Sequence, residues 1–274
     1  MENKIKNIIL EIKGKKNKGI VNEYVYNLGY KYFNNDYFND LFQKDLKLIF
    51  KNKKFKEITK IIRKELYSSY GLYQVKKQWK KELLLNDLKN NQDLQKGSIE
   101  ILRLHSSSRE RLNEYKKIYS EIFRITSKPK IIIDLACGLN PCSLVLINFK
   151  GNCFAYDIGN EIEFLNKYFE VVKKFGLNGK AFIKDITSDF NFKKGDICLL
   201  FKFLDLIKDR VNFFKNLIKS LKCKYLIVSF SKKTISLKNM KQVERKWFNN
   251  LLKKLHLKYS LLDFENESFY VIRL

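Results

Sequence analysis

Apolar residues recur three and four positions apart along the first third of the chain: Ile5, Ile8, Ile9 and Ile12, then Leu41, Phe42, Leu46, Ile49 and Phe50, then Phe55, Ile58, Ile61, Ile62 and Leu66. That period follows one face of an α-helix of ~3.6 residues per turn and predicts helices throughout residues 1–104. Polar breaks at 13–19, 34–35, 51–54 and 90–97 separate them. From residue 130 short, wholly apolar, β-branched runs alternate with longer amphipathic stretches, as in a parallel sheet covered on both faces. Strands are predicted at 130–136, 152–157, 180–185, 196–202 and 224–230, with helices at about 141–149, 161–175, 206–221 and 240–255. Two last strand-like runs, 257–264 and 269–273, have no helix between them and predict an antiparallel hairpin at the end of the sheet. The expected organisation is a helical domain over 1–104 followed by an α/β domain over 105–274, built on a seven-stranded, mostly parallel sheet.

Composition adds a partner class to this outline. Of 274 residues, 55 are Lys or Arg and 29 Asp or Glu, a formal charge of +26, so the surface carries a positive field that attracts polyanions, nucleic acid first. The chain is also rich in Asn, Ile and Tyr, as products of AT-rich genes are, and such a bias inflates Lys; it inflates Glu as well, so it explains the lysine count better than the imbalance. The excess is spread out: residues 1–104 carry 23 basic and 12 acidic side chains, net +11, leaving +15 for the rest. Hydrophobic residues at 45% exclude a largely disordered chain. Five cysteines (Cys137, Cys142, Cys153, Cys198, Cys223) contain no CxxC pair and are odd in number, which indicates neither a zinc site nor a complete disulfide framework. They read as buried thiols of a reducing cytosol. No run of ~18 apolar residues occurs, and the charged amphipathic start is no signal core; a cytoplasmic protein without a membrane partner or bound metal is expected.

In an open α/β sheet, ligands bind beyond the carboxyl ends of the strands. Acids sit there: Asp134 within the first predicted strand, Asp157 at the end of the second, Asp185 at the end of the third. A carboxylate ending the second strand suits the two ribose hydroxyls of an adenosine, and the third-strand acid can accept from the adenine amino group with Ile186 on the ring. The turn Ala136-Cys137-Gly138-Leu139-Asn140-Pro141 joins strand to helix, with Gly138 open to close backbone approach and Pro141 suited to a first helical turn. It lacks GxGxxG, which argues against a dinucleotide. On these positions alone, acids that merely end strands at a polar rim fit as well as a nucleotide site.

The segment before the sheet separates the two. His105-Ser106-Ser107-Ser108-Arg109-Glu110-Arg111-Leu112 precedes Asp134-Leu135-Ala136-Cys137-Gly138-Leu139-Asn140-Pro141. Together they resemble the aminoglycoside-resistance 16S rRNA guanine-N7 methyltransferases of the Arm/Rmt and FmrO type, whose pattern is close to His-x-Ser-Thr-Lys/Arg-Glu-Arg-Leu and Asp-x-Ala/Gly-Cys-Gly-x-Asn-Pro, with Ser108 here in place of Thr. The resemblance continues through Asp157-Ile158, Lys184-Asp185-Ile186, Leu200-Phe201-Lys202, Val228-Ser229-Phe230, Met240 with Trp247-Phe248, and Glu267 with Tyr270. Tyr70-Gly71-Leu72-Tyr73 matches the family's aromatic stretch farther back.

The resemblance implies a class I, Rossmann-like fold and S-adenosylmethionine as cofactor. Arg111 would hold its methionine carboxylate, in a fork that suits a guanidinium; a surface salt bridge to Glu110 or Glu114 is the plainer role. Tyr73, His105, Ser106, Ser107, Asp134, Ala136, Cys137, Gly138, Asp157, Ile158, Asp185, Ile186 and Phe201 complete the cofactor set, with His105 positioning rather than acting as a base, or serving only the fold. Lys202, Lys232, Lys233, Arg245 and Glu267 would meet 16S rRNA within the 30S subunit, the basic helices 1–104 would dock there, and the enzyme would act as a monomer. Guanine N7 carries a lone pair and no proton, so no general base is required. The family has Leu-Pro where this chain has Leu204-Asp205, and Ser-Phe-Pro-Thr where it has Ser229-Phe230-Ser231-Lys232. Two other readings keep the fold: a methyltransferase acting on another rRNA or tRNA position, and an RNA- or ribosome-binding protein without catalysis.

Overall fold

The computed structural model describes residues 2–14, 17, 19–69, 80–90, 93–232 and 245–274. The chain forms two compact units, Met1–Gln74 with Ile158–Asn160, and Val75–Asp157 with Glu161–Leu274.

The first unit holds helices α1 (Glu2–Lys13), α2 (Asn22–Phe33), α3 (Asp36–Gln43), α4 (Leu46–Lys51) and α5 (Lys53–Ser69). Asparagines punctuate them. Asn35 Oδ1 accepts the Phe38 N–H at 3.3 Å to cap α3, and Asn52 Oδ1 accepts the Phe55 N–H at 3.0 Å to start α5, each satisfying a donor that a helix N-terminus leaves open. The apolar stripes meet in a core that includes Ile12, Val25, Phe33, Phe38, Ile49, Phe55 and Ile62.

The second unit is the sheet with its covering helices. Strands β1 (Ile131–Leu135), β2 (Gly151–Asp157), β3 (Leu177–Ile183), β4 (Ile197–Phe201), β5 (Tyr225–Ser231), β6 (Tyr259–Asp263) and β7 (Glu267–Arg273) lie in the order β3-β2-β1-β4-β5-β7-β6. The first five are parallel, while β7 runs antiparallel to both β5 and β6. The expected seven-stranded, mostly parallel sheet with a closing hairpin is therefore present. Its central strand β1 is flanked by β2 and β4, so the strand order reverses at the turn after β1.

Helices α6 (Lys80–Asn90), α7 (Leu94–Leu102), α8 (Ser106–Glu110), α9 (Tyr115–Thr126), α10 (Glu161–Val172), α11 (Arg210–Ser220) and α12 (Lys246–Lys254) complete this unit. Although α6 and α7 share the texture of the first hundred residues, their Leu85, Leu88, Ile101 and Leu102 are buried in one core with Tyr115, Tyr119, Leu144 and Phe169. The segment expected as a helix at 141–149 is a 3-10 helix, Asn140–Ile147. Ser143 Oγ donates to the Asn140 carbonyl three residues back at 2.6 Å, and such side-chain bonding competes with the α-helical ladder. The third strand is set earlier than expected because Gly176, at φ 93, ends the preceding helical turn and Leu177 begins the pairing with β2. Asp185 consequently lies beyond the strand. The start of the helix expected at 240–255 and the stretch 70–73 lie outside the described residues. None of the described helices is long and apolar enough to cross a membrane.

Candidate functional site

The turn after β1 holds two left-handed residues at the sheet's carboxyl edge. Ala136 and Gly138 both have φ 51, a left-handed conformation that costs a residue with a Cβ about 1–2 kcal/mol. The Gly138 N–H donates to Asp157 Oδ2 at 2.8 Å, which ties the ends of two adjacent parallel strands together. A Cβ at Gly138 would stand 2.9 Å from His105 Nε2. His105 therefore supports the turn from beneath, and burial lowers its pKa to about 4 against the pull of Glu161, so it is neutral at physiological pH.

Asp134 is 2% exposed inside β1. Asn140 Nδ2 donates to its Oδ2 at 2.8 Å, and Tyr115 Oη donates to Asn140 Oδ1 at 3.0 Å. Tyr119 Oη lies 3.4 Å from Asn140 Nδ2 and 3.1 Å from Ser143 Oγ. Burial pushes the Asp134 carboxyl up to about 7, although the Asn140 hydrogen bond works the other way. Asp134 thus braces the turn through Asn140.

Arg111 follows α8 and is 3% exposed. Its Nε donates to Glu267 Oε2 at 2.8 Å and its Nη2 to Ser107 Oγ at 3.0 Å, with the guanidinium carbon 4.9 Å from the Phe201 ring centroid. Neither Glu110 nor Glu114 is its partner in these contacts. Glu267 also meets the Ser229 hydroxyl and Lys202 Nζ, the latter at 3.3 Å, while Lys202 Nζ bonds Glu110 Oε2 at 2.6 Å. Burial alone would raise the Glu267 pKa; Arg111 and Lys202 outweigh it and hold the carboxylate below its ordinary value. A chain of alternating charge, Arg111–Glu267–Lys202–Glu110, is thereby fixed at the edge of β4, β5 and β7.

Asp185 accepts the Thr187 N–H at 2.9 Å and the Thr187 hydroxyl at 2.7 Å on the same oxygen, forming an Asx turn, and Ile186 beside it is 3% exposed. Of the other cofactor candidates, Ser107 and Cys137 are buried, Ser106 and Ala136 are half-buried, and Ile158 belongs to the helical unit, where its carbonyl accepts the Val21 N–H at 3.2 Å. Tyr73 lies outside the described residues, as does Lys233.

The basic candidates occupy a different position from the one their charge suggests. Lys202 is 8% exposed and committed to the carboxylates of Glu110 and Glu267; Glu267, at 1%, is the shared counterion of Lys202 and Arg111. Lys232 Nζ is 2.6 Å from Asp263 Oδ1. Arg245, 7% exposed, spans both oxygens of Asp205, with Nη2 at 2.7 Å from Oδ2. Nothing in the local pattern marks Asp205 as a partner, nor Lys81 and Glu161, which form a buried pair at 2.6 Å across 80 positions. Pairs so far apart in the chain have no local period to mark them. The arrangement supplies a constricted glycine turn, a carboxylate at the end of β2 and a fixed buried guanidinium. These are the donors and acceptors that an adenosyl group with a carboxylate tail requires.

Known proteins resemble this chain in sequence and in fold. The family described as ribosomal RNA methyltransferase (FmrO) matches residues 52–255. A 16S rRNA (guanine(1405)-N(7))-methyltransferase of Proteus mirabilis is 30% identical over 207 residues, covering 66% of this chain and 70% of that protein. One of the same description from Frankia casuarinae is 27% identical over 139 residues, 49% of this chain and 48% of the relative, so this match spans about half its length. Among solved structures, the 16S rRNA methyltransferase RmtF in complex with S-adenosyl-L-homocysteine has the same fold, with a TM-score of 0.72 at 19% identity over 100% of this chain and 99% of that one. The 16S rRNA methylase ArmA gives 0.55 at 25% identity over 70% and 97%.

Proposed function

Because the chain belongs to the ribosomal RNA methyltransferase (FmrO) family, we propose that it methylates N7 of a decoding-site guanine in 16S rRNA of the 30S subunit and so confers aminoglycoside resistance. The single observation that carries the assignment to this chain's own residues is the buried Arg111, oriented by Glu267 and Ser107 and packed on Phe201.

S-adenosylmethionine supplies the methyl group. Arg111 would hold its carboxylate, as a charge-assisted fork whose geometry is already fixed before binding. Asp157 would accept from the ribose hydroxyls while its Oδ2 keeps the Gly138 N–H in place. Asp185 and Ile186 would receive the adenine, and Ser106, Ser107, Ala136, Cys137 and Phe201 would line the rest. His105 and Asp134 position the turn and touch no reacting atom. No side chain has to move a proton, since N7 has none to lose; the catalytic contribution of the protein is orientation of N7 in line with the methyl group. The basic residues of 1–104 and Lys233 would engage rRNA phosphates, with the shape of the assembled subunit adding selectivity. On this reading the enzyme works in the cytoplasm, as a monomer on the 30S particle.

Purified 30S subunits incubated with the protein and labelled cofactor, followed by borohydride and aniline cleavage, test the proposal. A strand break at a single decoding-site guanine is expected. Label on an adenine, or none in 30S particles, would remove it. Expression in a sensitive bacterium should raise the inhibitory concentration of aminoglycosides that bind the decoding site.

A further inference from the structure

Asp205 stands where the family pattern has proline, and its carboxylate collects two arginines. Arg245 Nε lies 3.3 Å from Oδ1 and 3.2 Å from Oδ2, and its Nη2 donates to Oδ2 at 2.7 Å and to the Ser231 carbonyl at 3.1 Å. Arg245 also lies over the Phe230 ring, 5.4 Å from its centroid. Buried and bonded on several sides, it joins the turn after β4, the end of β5 and the start of α12. A second guanidinium approaches the same carboxylate: Arg210 Nη1, at the first position of α11, is 4.0 Å from Asp205 Oδ1. Its side chain is 39% exposed, and its guanidinium carbon is 4.1 Å from the centre of the Trp247 ring.

Two guanidiniums around one carboxylate leave a net positive charge, and the geometry divides the roles. A guanidinium stacked on an indole uses its face, while its N–H donors point outward in the plane, the arrangement that meets paired phosphate oxygens. Stacking also restrains a long side chain in advance, so less rotamer entropy is lost on binding than for an unrestrained surface lysine. The cluster lies just beyond β4, whose following residue, Lys202, belongs to the charge chain around Arg111.

We infer that Arg210, stacked on Trp247 and steadied by Asp205, contacts a phosphodiester of the substrate rRNA next to the methyl-transfer site, and that Arg245 is its internal anchor rather than an RNA contact. This rests on the rRNA-methylating reading above. The test measures binding of wild type, Arg210→Ala and Arg210→Lys to purified 30S subunits over a series of salt concentrations, with cofactor affinity by isothermal titration on the same samples. Loss of one phosphate contact should weaken 30S binding on the order of tenfold near 0.1 M salt and reduce the slope of log K against log salt by about 0.7–0.9. Arg210→Lys should fall between, and cofactor affinity should stay at the wild-type value in both variants. Asp205→Asn, which removes the shared counterion, should weaken 30S binding in the same direction. An Arg210→Ala enzyme with wild-type affinity and salt slope overturns the inference while leaving the methylation of 30S intact. A wild-type protein that neither binds nor methylates 30S overturns the rRNA reading itself and the inference with it.

Discussion

Asp134 is buried and His105 half-buried beside the turn after β1, and loss of solvent moves their titrations in opposite directions. Asp134 is raised from 3.8 to about 7, so the folded protein keeps a proton that the unfolded chain releases; its stabilising contribution is full below pH 3.8 and is lost as pH rises to about 7. His105 is lowered from 6.5 to about 4, so its contribution is full above 6.5 and is lost as pH falls to about 4. Between about pH 4 and 6.5 the two slopes oppose each other. Asp134→Asn should uncover the histidine slope, with urea stability increasing from pH 4.5 to 6.5 more steeply than in wild type; an unchanged slope would show that Asp134 is ionised throughout. Arg111 is a separate case, because removing it leaves Glu267 buried beside Lys202 alone. Arg111→Ala should abolish cofactor binding in isothermal titration and lower stability by about 3–5 kcal/mol, the usual cost of breaking a buried pair. Arg111 is readable from its motif, but its partner is not: the family pattern points Glu267 toward RNA, whereas the fold uses it as a counterion.

At the level of elements, two glycines set how closely backbone and side chains approach. Gly179 lies in β3, and a Cβ there would stand 2.1 Å from Phe169 of α10; the bare strand lets the ring lie directly on the sheet. Gly179→Ala should destabilise the protein by about 1–3 kcal/mol in denaturant melts through overpacking, with little change in cofactor affinity beyond that. Gly138→Ala combines φ 51 with the His105 clash, and should lose cofactor binding together with stability of about 1 kcal/mol or more. Strands were legible because apolar β-branched runs such as Ile131-Ile132-Ile133 have few other uses, and all seven were found near their true positions. The 3-10 character of Asn140–Ile147 was not legible, since it arises from Ser143 bonding back to Asn140 rather than from any period. The ion pair of Asp205 with Arg245 was hidden for another reason: the partners lie 40 positions apart, and a polar pair leaves no apolar period.

On the scale of the whole molecule, the helical texture of the first hundred residues conceals a division of labour. Leu85, Leu88, Ile101 and Leu102 cover one face of the sheet and share its core, so a fragment beginning at residue 105 exposes that face. A fragment of residues 75–274 should unfold cooperatively in a thermal melt, whereas 105–274 should bind hydrophobic dyes or aggregate; cooperative melting of the shorter fragment would contradict this. The positive charge read from composition is also distributed differently from its first appearance, because Lys202, Lys232 and Arg245 neutralise carboxylates of the same chain. The anchoring of Arg111 by Glu267 has a consequence in time. These two residues are 156 positions apart, so at a synthesis rate of roughly 5–20 residues per second the arginine waits about 8–30 s for its carboxylate. During that interval the nascent sheet lacks β7, β5 presents an open edge, and a guanidinium sits where the fold requires a neutralised one. The proposed cofactor site is therefore among the last parts of the enzyme to mature, and an enzyme directed at ribosomes gains a competent site only after almost all of the chain has emerged from one.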